Sequence, residues 1–386
     1  MELPHMRPFL YDFFKENNRC LYGPGYELAF DEPGIERIDA LPVRPLASDE
    51  RPHVPVLIEL GEDWIIEKTK SDYRRYILDY DYQLAVREHC ARLLGEEIGF
   101  YLKPKVDTSS LLHGSVYGNP IEYPEGSTPW LTHIIKDRDD IRKLIDRMEK
   151  TDLAQAGLVP EFVRRYRRLG KPYAHRILHD PTSVHGPGTI LGFLCGIDEF
   201  SLFLYDEPDL MQELLALISG VTVAYSQTVR RRTGAPMNGV GIFDDVAGLV
   251  SPEQFSRYFL PVYERIYASL APHPEDDRFI HNDACVRHLL PFFRELGVNG
   301  INPDPDTPAE EIRAYLPDAI IYGCVPPLVL KDGTPDAVVA AARKTLEALP
   351  DDRLLVLTTA GSINMGTPYE NLEALCYAAQ TYGRYR

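Results

Sequence analysis

The stretch RFIHNDAC, residues 278–285, sets His281 and Asp283 two positions apart, with Cys285 two further on. On an extended backbone, side chains at i and i+2 share one face, so this imidazole and carboxylate can meet at one point. Two chemistries follow: two ligands on one metal, or a histidine oriented by a carboxylate for proton transfer. A buried histidine hydrogen-bonded to backbone is the bland alternative. Asp244 and Asp245 form a second candidate. Adjacent carboxylates at a strand end diverge, so at most one faces a shared pocket, where it could accept a proton, hold a cation or position a substrate hydroxyl. The other is expected to cap a helix or contact a loop. Cys285 is expected in the first turn of a helix, where a thiolate is favoured, or as a small packing residue. Cys324 closes IIYGCVPP and is better placed to face a pocket.

The elements that position these residues alternate. VPVLIEL (54–60) reads as a buried strand, and residues 73–95 as a helix ending at Gly95, a suitable C-cap. IGFYLKP is a further strand, and 105–135 an irregular excursion rich in Gly and Pro. Helices are predicted over DRDDIRKLIDRME and PEFVRRYRRLG. Strands are predicted at 171–180, at 237–245 and over RFIHND, VNGINP, DAIIYGCV and RLLVLTTA, with a helix after each. Ser251 and Thr307 are predicted N-caps, each followed by Pro at the first helical position. Short, uniformly apolar strands separated by helices suit a parallel sheet covered on both faces. About eight such units favour a (β/α)8 TIM barrel over a doubly wound sheet, in the α/β class. Residues 1–52, rich in Pro, Gly and Tyr, read as an N-terminal extension, and 53–386 as the barrel.

Barrel active sites lie at the strand C-termini. The strand ends offer Glu59, then Arg176 and His179, then Asp244 and Asp245, then His281 and Asp283, then Asn302, Cys324, Thr358 and Thr359. His281, Asp283 and Asp244 are the catalytic candidates. Glu59, Arg176, His179, Asp245, Asn302 and Cys324 are the substrate-binding candidates, and His281 and Asp283 the metal candidates. Tyr101, Tyr117, Tyr123 and Trp130 would suit an aromatic or quaternary-ammonium ligand, or ordinary packing.

A net charge of −17 argues against a nucleic-acid partner. The six cysteines form no CxxC pair, which points to reduced thiols in a cytoplasm. No signal peptide is expected from the first 20 residues, and no membrane span, since no run of 18 apolar residues occurs. The G-x-G-x-x-G and P-loop patterns are absent, so nucleotide binding is not indicated. Oligomeric state is not legible.

Residues 130–383 resemble the uroporphyrinogen decarboxylase-like superfamily, in particular its corrinoid-dependent methyltransferases. GIFDDVAGLVSPEQFSRYFLPVYERI, FIHNDACVRHLLPFFRELGVNGINP, YGCVPPLVLKDGTPDAVV and TTAGSINMGTPYENLEAL carry the likeness. It implies a (β/α)8 barrel with its site at the strand ends, a small methylated substrate such as a methoxyarene or methylamine, and a corrinoid carried by a separate protein. The decarboxylases carry an Arg-rich N-terminal loop, but the segment here reads LPVRPLASDERPH. The zinc-dependent methyltransferases use His-x-Cys after one strand and Cys after the last. His281 matches that His, but Asp283 and Gly361 stand where the two cysteines would be. A variant metal site would draw on His281, Asp283 and Cys324 or Asp304. Without thiolates, the resemblance implies His281, Asp283 and Asp244 assisting a leaving group. The alternative activity is a decarboxylase or lyase acting on a small carboxylic acid, with Arg176 gripping the anion and Asp244 stabilising a protonated intermediate.

Overall fold

Short, mostly apolar segments between 240 and 359 form strands whose two faces have different tasks. The computed structural model describes residues 53–98, 111–173 and 182–386. Two short strands, β1 (Ile121–Glu122) and β2 (Trp130–Leu131), pair antiparallel within the 105–135 excursion. The main sheet has six parallel strands in the order β3 (Ser183–His185), β4 (Val240–Phe243), β5 (Arg278–His281), β6 (Gly300–Asn302), β7 (Ile320–Val325) and β8 (Leu355–Thr359). One row of aliphatic residues crosses all six, Val184–Ile242–Ile280–Ile301–Ile321–Leu355, each the register partner of the next. None is more than 3% exposed. Burying each is worth about 1.5–3 kcal/mol, and a one-residue slip would move the row off the helix side.

Residues 54–60 continue the sheet beyond β8, with parallel bridges from Val56 to Leu357 and from Leu60 to Ile363. Leu57 N–H donates to Leu357 O at 3.0 Å, and Ile363 N–H to Glu59 O at 2.8 Å. The first extended segment therefore lies beside the last strand, and every other neighbour follows sequence order. That is barrel order; a doubly wound sheet reverses direction midway. The expected strand IGFYLKP lies outside the described residues apart from Ile98, which ends the helix Tyr80–Ile98.

Several expectations are corrected. Residues 171–173 end the helix Val159–Tyr173 rather than begin a strand, the rest of the strand predicted at 171–180 lies outside the described residues, and a strand is found at Ser183–His185. Arg176 and His179 lie outside the described residues, as do Tyr101 and residues 1–52. The 73–95 helix is two helices, Tyr73–Leu78 and Tyr80–Ile98, split where Asp79 takes an extended conformation. Gly95 lies inside the second, which runs on because Ile98 buries in the core. Pro308, not Thr307, precedes the helix Ala309–Tyr315. Cys285 is exposed in the loop before the turn Arg287–Leu289 and starts no helix. Ser251 does cap, forming a capping box with Gln254. No single helix among the described residues is long and apolar enough to cross a membrane.

Candidate active site at the strand C-termini

The second row of the sheet reads His185–Phe243–His281–Asn302, register partners on the face opposite the aliphatic row. His185, Phe243 and His281 remain partly exposed while the aliphatic row is sealed. This face therefore opens to a space at the strand ends. The Phe243 ring stands 5.3 Å from the His281 ring and 5.8 Å from Phe279.

Chain direction separates the two aspartates after β4. Asp244 turns inward and is fully buried. Its carboxylate accepts from Thr189 N–H at 2.7 Å, Gly188 N–H at 3.2 Å and the Tyr263 hydroxyl at 2.8 Å. The helix Pro187–Cys195 begins at Gly186, which has no capping side chain, so Asp244 caps that helix from a neighbouring strand. A Cβ on Gly186 would lie 2.5 Å from Asp244 Cβ, so only glycine allows this approach. Burial outweighs the three donors and pushes the Asp244 carboxyl up to about 6. Asp244 is thus occupied in holding this helix and Tyr263, while Asp245 is the aspartate of the pair that meets His281.

Asp245 Oδ1 stands 3.3 Å from His281 Nε2, and Asp283 Oδ1 stands 3.3 Å from the same nitrogen. Asp245 Oδ1 is buried and accepts no hydrogen bond. Burial pushes the Asp245 carboxyl up to about 6, with His281 opposing and Asp283 reinforcing the rise. On the other side of the ring, His281 Nδ1 lies 2.7 Å from Asn302 Oδ1. Asn302 Nδ2 donates to Tyr322 O at 2.5 Å and Thr359 O at 3.1 Å, and its Oδ1 also accepts from Gly361 N–H at 3.2 Å. Burial disfavours the imidazolium, but Asp283, Asp245 and Glu59 overcome it and raise the His281 pKa to about 9. Glu59, exposed on the edge segment, therefore contributes to this centre by charge.

Cys324 and Asp304 do not join it. Burial first, then the Asp304 and Glu310 charges, pushes the Cys324 thiol up to about 12. Asp304 is spent on a turn, accepting from Val286, Asp306 and Thr307 N–H and from the Thr307 hydroxyl at 2.6–3.0 Å. Among the described residues, Asp245, His281 and Asp283 each offer one ligand atom within 4.8 Å of one another. Of the aromatic candidates, Tyr117 is buried beside His113, while Tyr123 and Trp130 are exposed on the β1–β2 hairpin side. Sequence reasoning missed His185, which ends β3, because no strand was read at 183–185.

A parallel sheet in barrel order, with a histidine held between carboxylates where the strands end, defines a barrel of the kind whose active sites lie at that face. A family model described as "Uroporphyrinogen decarboxylase (URO-D)" matches residues 108–382, and the chain belongs to this family. It is 28% identical over 230 residues to a uroporphyrinogen decarboxylase of Nocardia farcinica, covering 59% of this chain and 57% of that protein, so the match spans less than two thirds of that relative. It is 24% identical over 257 residues to the methylcobamide:CoM methyltransferase MtbA of Methanosarcina mazei, covering 65% and 71%. A solved methyltransferase from Methanosarcina mazei superimposes with a TM-score of 0.62 at 21% identity, over 85% of this chain and 94% of that one, which shows a shared fold.

A His/Cys/Cys zinc centre does not fit these residues. Asp283 brings oxygen in place of sulfur, Gly361 brings no side chain, and neither Cys285 nor Cys324 belongs to the cluster.

Proposed function

We propose that this protein transfers a methyl group from a small methylated compound, such as a methoxyarene or a methylamine, to a corrinoid carried by a separate protein. The observation that carries this reading is the placement of His281 Nε2 between Asp245 and Asp283 at the strand-end face. The corrinoid supplies a cobalt nucleophile that takes the methyl carbon. The bond from that carbon to the substrate oxygen or nitrogen breaks, and its electron pair stays on the leaving atom.

That atom needs positive charge or a proton as it leaves, and the chain supplies it at one point. His281 holds its charge at neutral pH because three carboxylates surround it, so Nε2–H can deliver the proton. Asp245 and Asp283 hold the imidazolium, and Phe243 offers an apolar surface alongside. The relatives that include methylcobamide:CoM methyltransferases support the reading. Decarboxylation of a polycarboxylate fits less well, because Glu59, Asp245 and Asp283 make this centre anionic and would repel such a substrate.

The test is spectroscopic. Purified protein is mixed with Co(I) corrinoid and a panel of methoxyarenes and methylamines, and methyl-cobalt formation is followed by absorbance. One or more substrates should react, and His281→Ala should slow the transfer on the order of 100-fold. A silent panel, or an unimpaired His281→Ala, overturns the reading.

A further inference from the structure

We infer that Asp245, His281 and Asp283 form a divalent-cation site of two carboxylate oxygens and one imidazole nitrogen, in place of a thiolate centre. Ligands about 2.0–2.2 Å from an ion stand roughly 3–3.5 Å from one another in tetrahedral or octahedral geometry. Both histidine-to-aspartate distances, at 3.3 Å, already satisfy this. The two carboxylate oxygens lie within 4.8 Å, and the Asp283 side chain, 61% exposed, is free to rotate inward.

Three further observations point to a cation there. With the His281 ring neutral and Nε2 unprotonated, Asp245 Oδ1 is withdrawn from water and meets no donor. An unanswered buried acceptor is unfavourable, and an ion between the three ligands answers it. Asn302 occupies the Nδ1 side of His281, leaving the Nε2 lone pair for a metal, the arrangement outer partners impose on metal-bound histidines. Gly361 leaves one side of the centre open: a Cβ there would stand 3.1 Å from Asp283 Oδ1. With three protein ligands and an open side, the ion can accept an oxygen or nitrogen atom of an incoming ligand. The donor set suits borderline to hard ions such as Zn²⁺, Co²⁺ or Mn²⁺ rather than thiophilic ones. A cation and the Nε2 proton compete for one lone pair, and each puts positive charge at the same point.

The test reads the metal directly, so it stands whether or not methyl transfer is observed. The full chain is stripped with EDTA and titrated with Co²⁺ and Zn²⁺ by calorimetry and visible absorption. The expected result is one saturable equivalent, with cobalt d–d bands and no sulfur-to-cobalt charge-transfer band. Asp245→Asn should weaken binding on the order of tenfold or more and abolish the rise in Tm that Zn²⁺ gives the parent, while Cys285→Ser binds unchanged. Asp283→Asn, at an exposed position, gives the same readout should Asp245→Asn fold poorly. Absence of saturable binding below millimolar metal, parental affinity in both variants, or a charge-transfer band overturns the inference.

Discussion

When the His281 ring is neutral, Asn302 decides which of its nitrogens carries the proton. Its amide nitrogen is committed to the carbonyls of Tyr322 and Thr359, so Oδ1 must face the imidazole and can only accept. His281 is thereby held with hydrogen on Nδ1, and Nε2 is turned toward Asp245 and Asp283. One amide on β6 thus sets the chemistry of a ring on β5.

Asn302→Leu should therefore do more than destabilise. Loss of its buried hydrogen bonds is expected to lower stability by about 1–3 kcal/mol, read by urea denaturation. It should also free the neutral ring, above pH 9, to take either tautomer, which NMR of the imidazole nitrogens would show. A single retained Nδ1–H tautomer in the variant would refute the assignment.

Asp244 is expected to matter for folding and not directly for chemistry. Asp244→Ala leaves Gly188 N–H, Thr189 N–H and the Tyr263 hydroxyl without an acceptor, a loss of about 2–5 kcal/mol. Gly186→Ala forces a new Cβ against the Asp244 side chain and should cost about 1–3 kcal/mol. Thermal melts compare both with Asp245→Asn, whose partly exposed side chain predicts a much smaller change. Equal melting temperatures across the three would contradict the division of roles between the aspartates.

Stability without metal should depend on pH through His281. Its folded pKa of about 9 lies above the ordinary 6.5, so its contribution is complete below pH 6.5 and is lost as pH rises through 9. The shift corresponds to at most about 3 kcal/mol, reduced because the exposed Asp283 is screened. Asp244, raised from 3.8 to about 6, acts in the same direction over the lower window, its contribution falling as pH rises through 6. In EDTA, Tm should drop between pH 6.5 and 9 in the parent and stay flatter in His281→Gln; parallel curves would count against the coupling.

Gly361→Cys places a side chain on a residue with φ +85°, at a strain of about 1 kcal/mol. If position 361 borders the centre, the new thiol should enter the cobalt coordination and produce a charge-transfer band not expected of the parent. A variant that folds, binds cobalt and shows no such band would place Gly361 outside the centre.

Much of this architecture is legible in the residues themselves. The aliphatic runs around Ile242, Ile280, Ile301 and Ile321 mark buried strands, because burial on the helix side tolerates nothing polar. The two-residue spacing of His281 and Asp283 puts them on one face through the strand period alone. Local pattern fails where long-range contacts decide. Helix Val159–Tyr173 takes the first residues of the expected strand, and His185 ends a strand that the pattern did not mark. Sequence leaves Asp244 and Asp245 open, since adjacency says only that they diverge. The tertiary structure separates them through the bare N-terminus of the helix at Gly186, 58 residues back in the chain, which draws Asp244 inward. The tautomer of His281 rests on carbonyls from β7 and β8, and no spacing along one strand can show what three strands bring to a single amide.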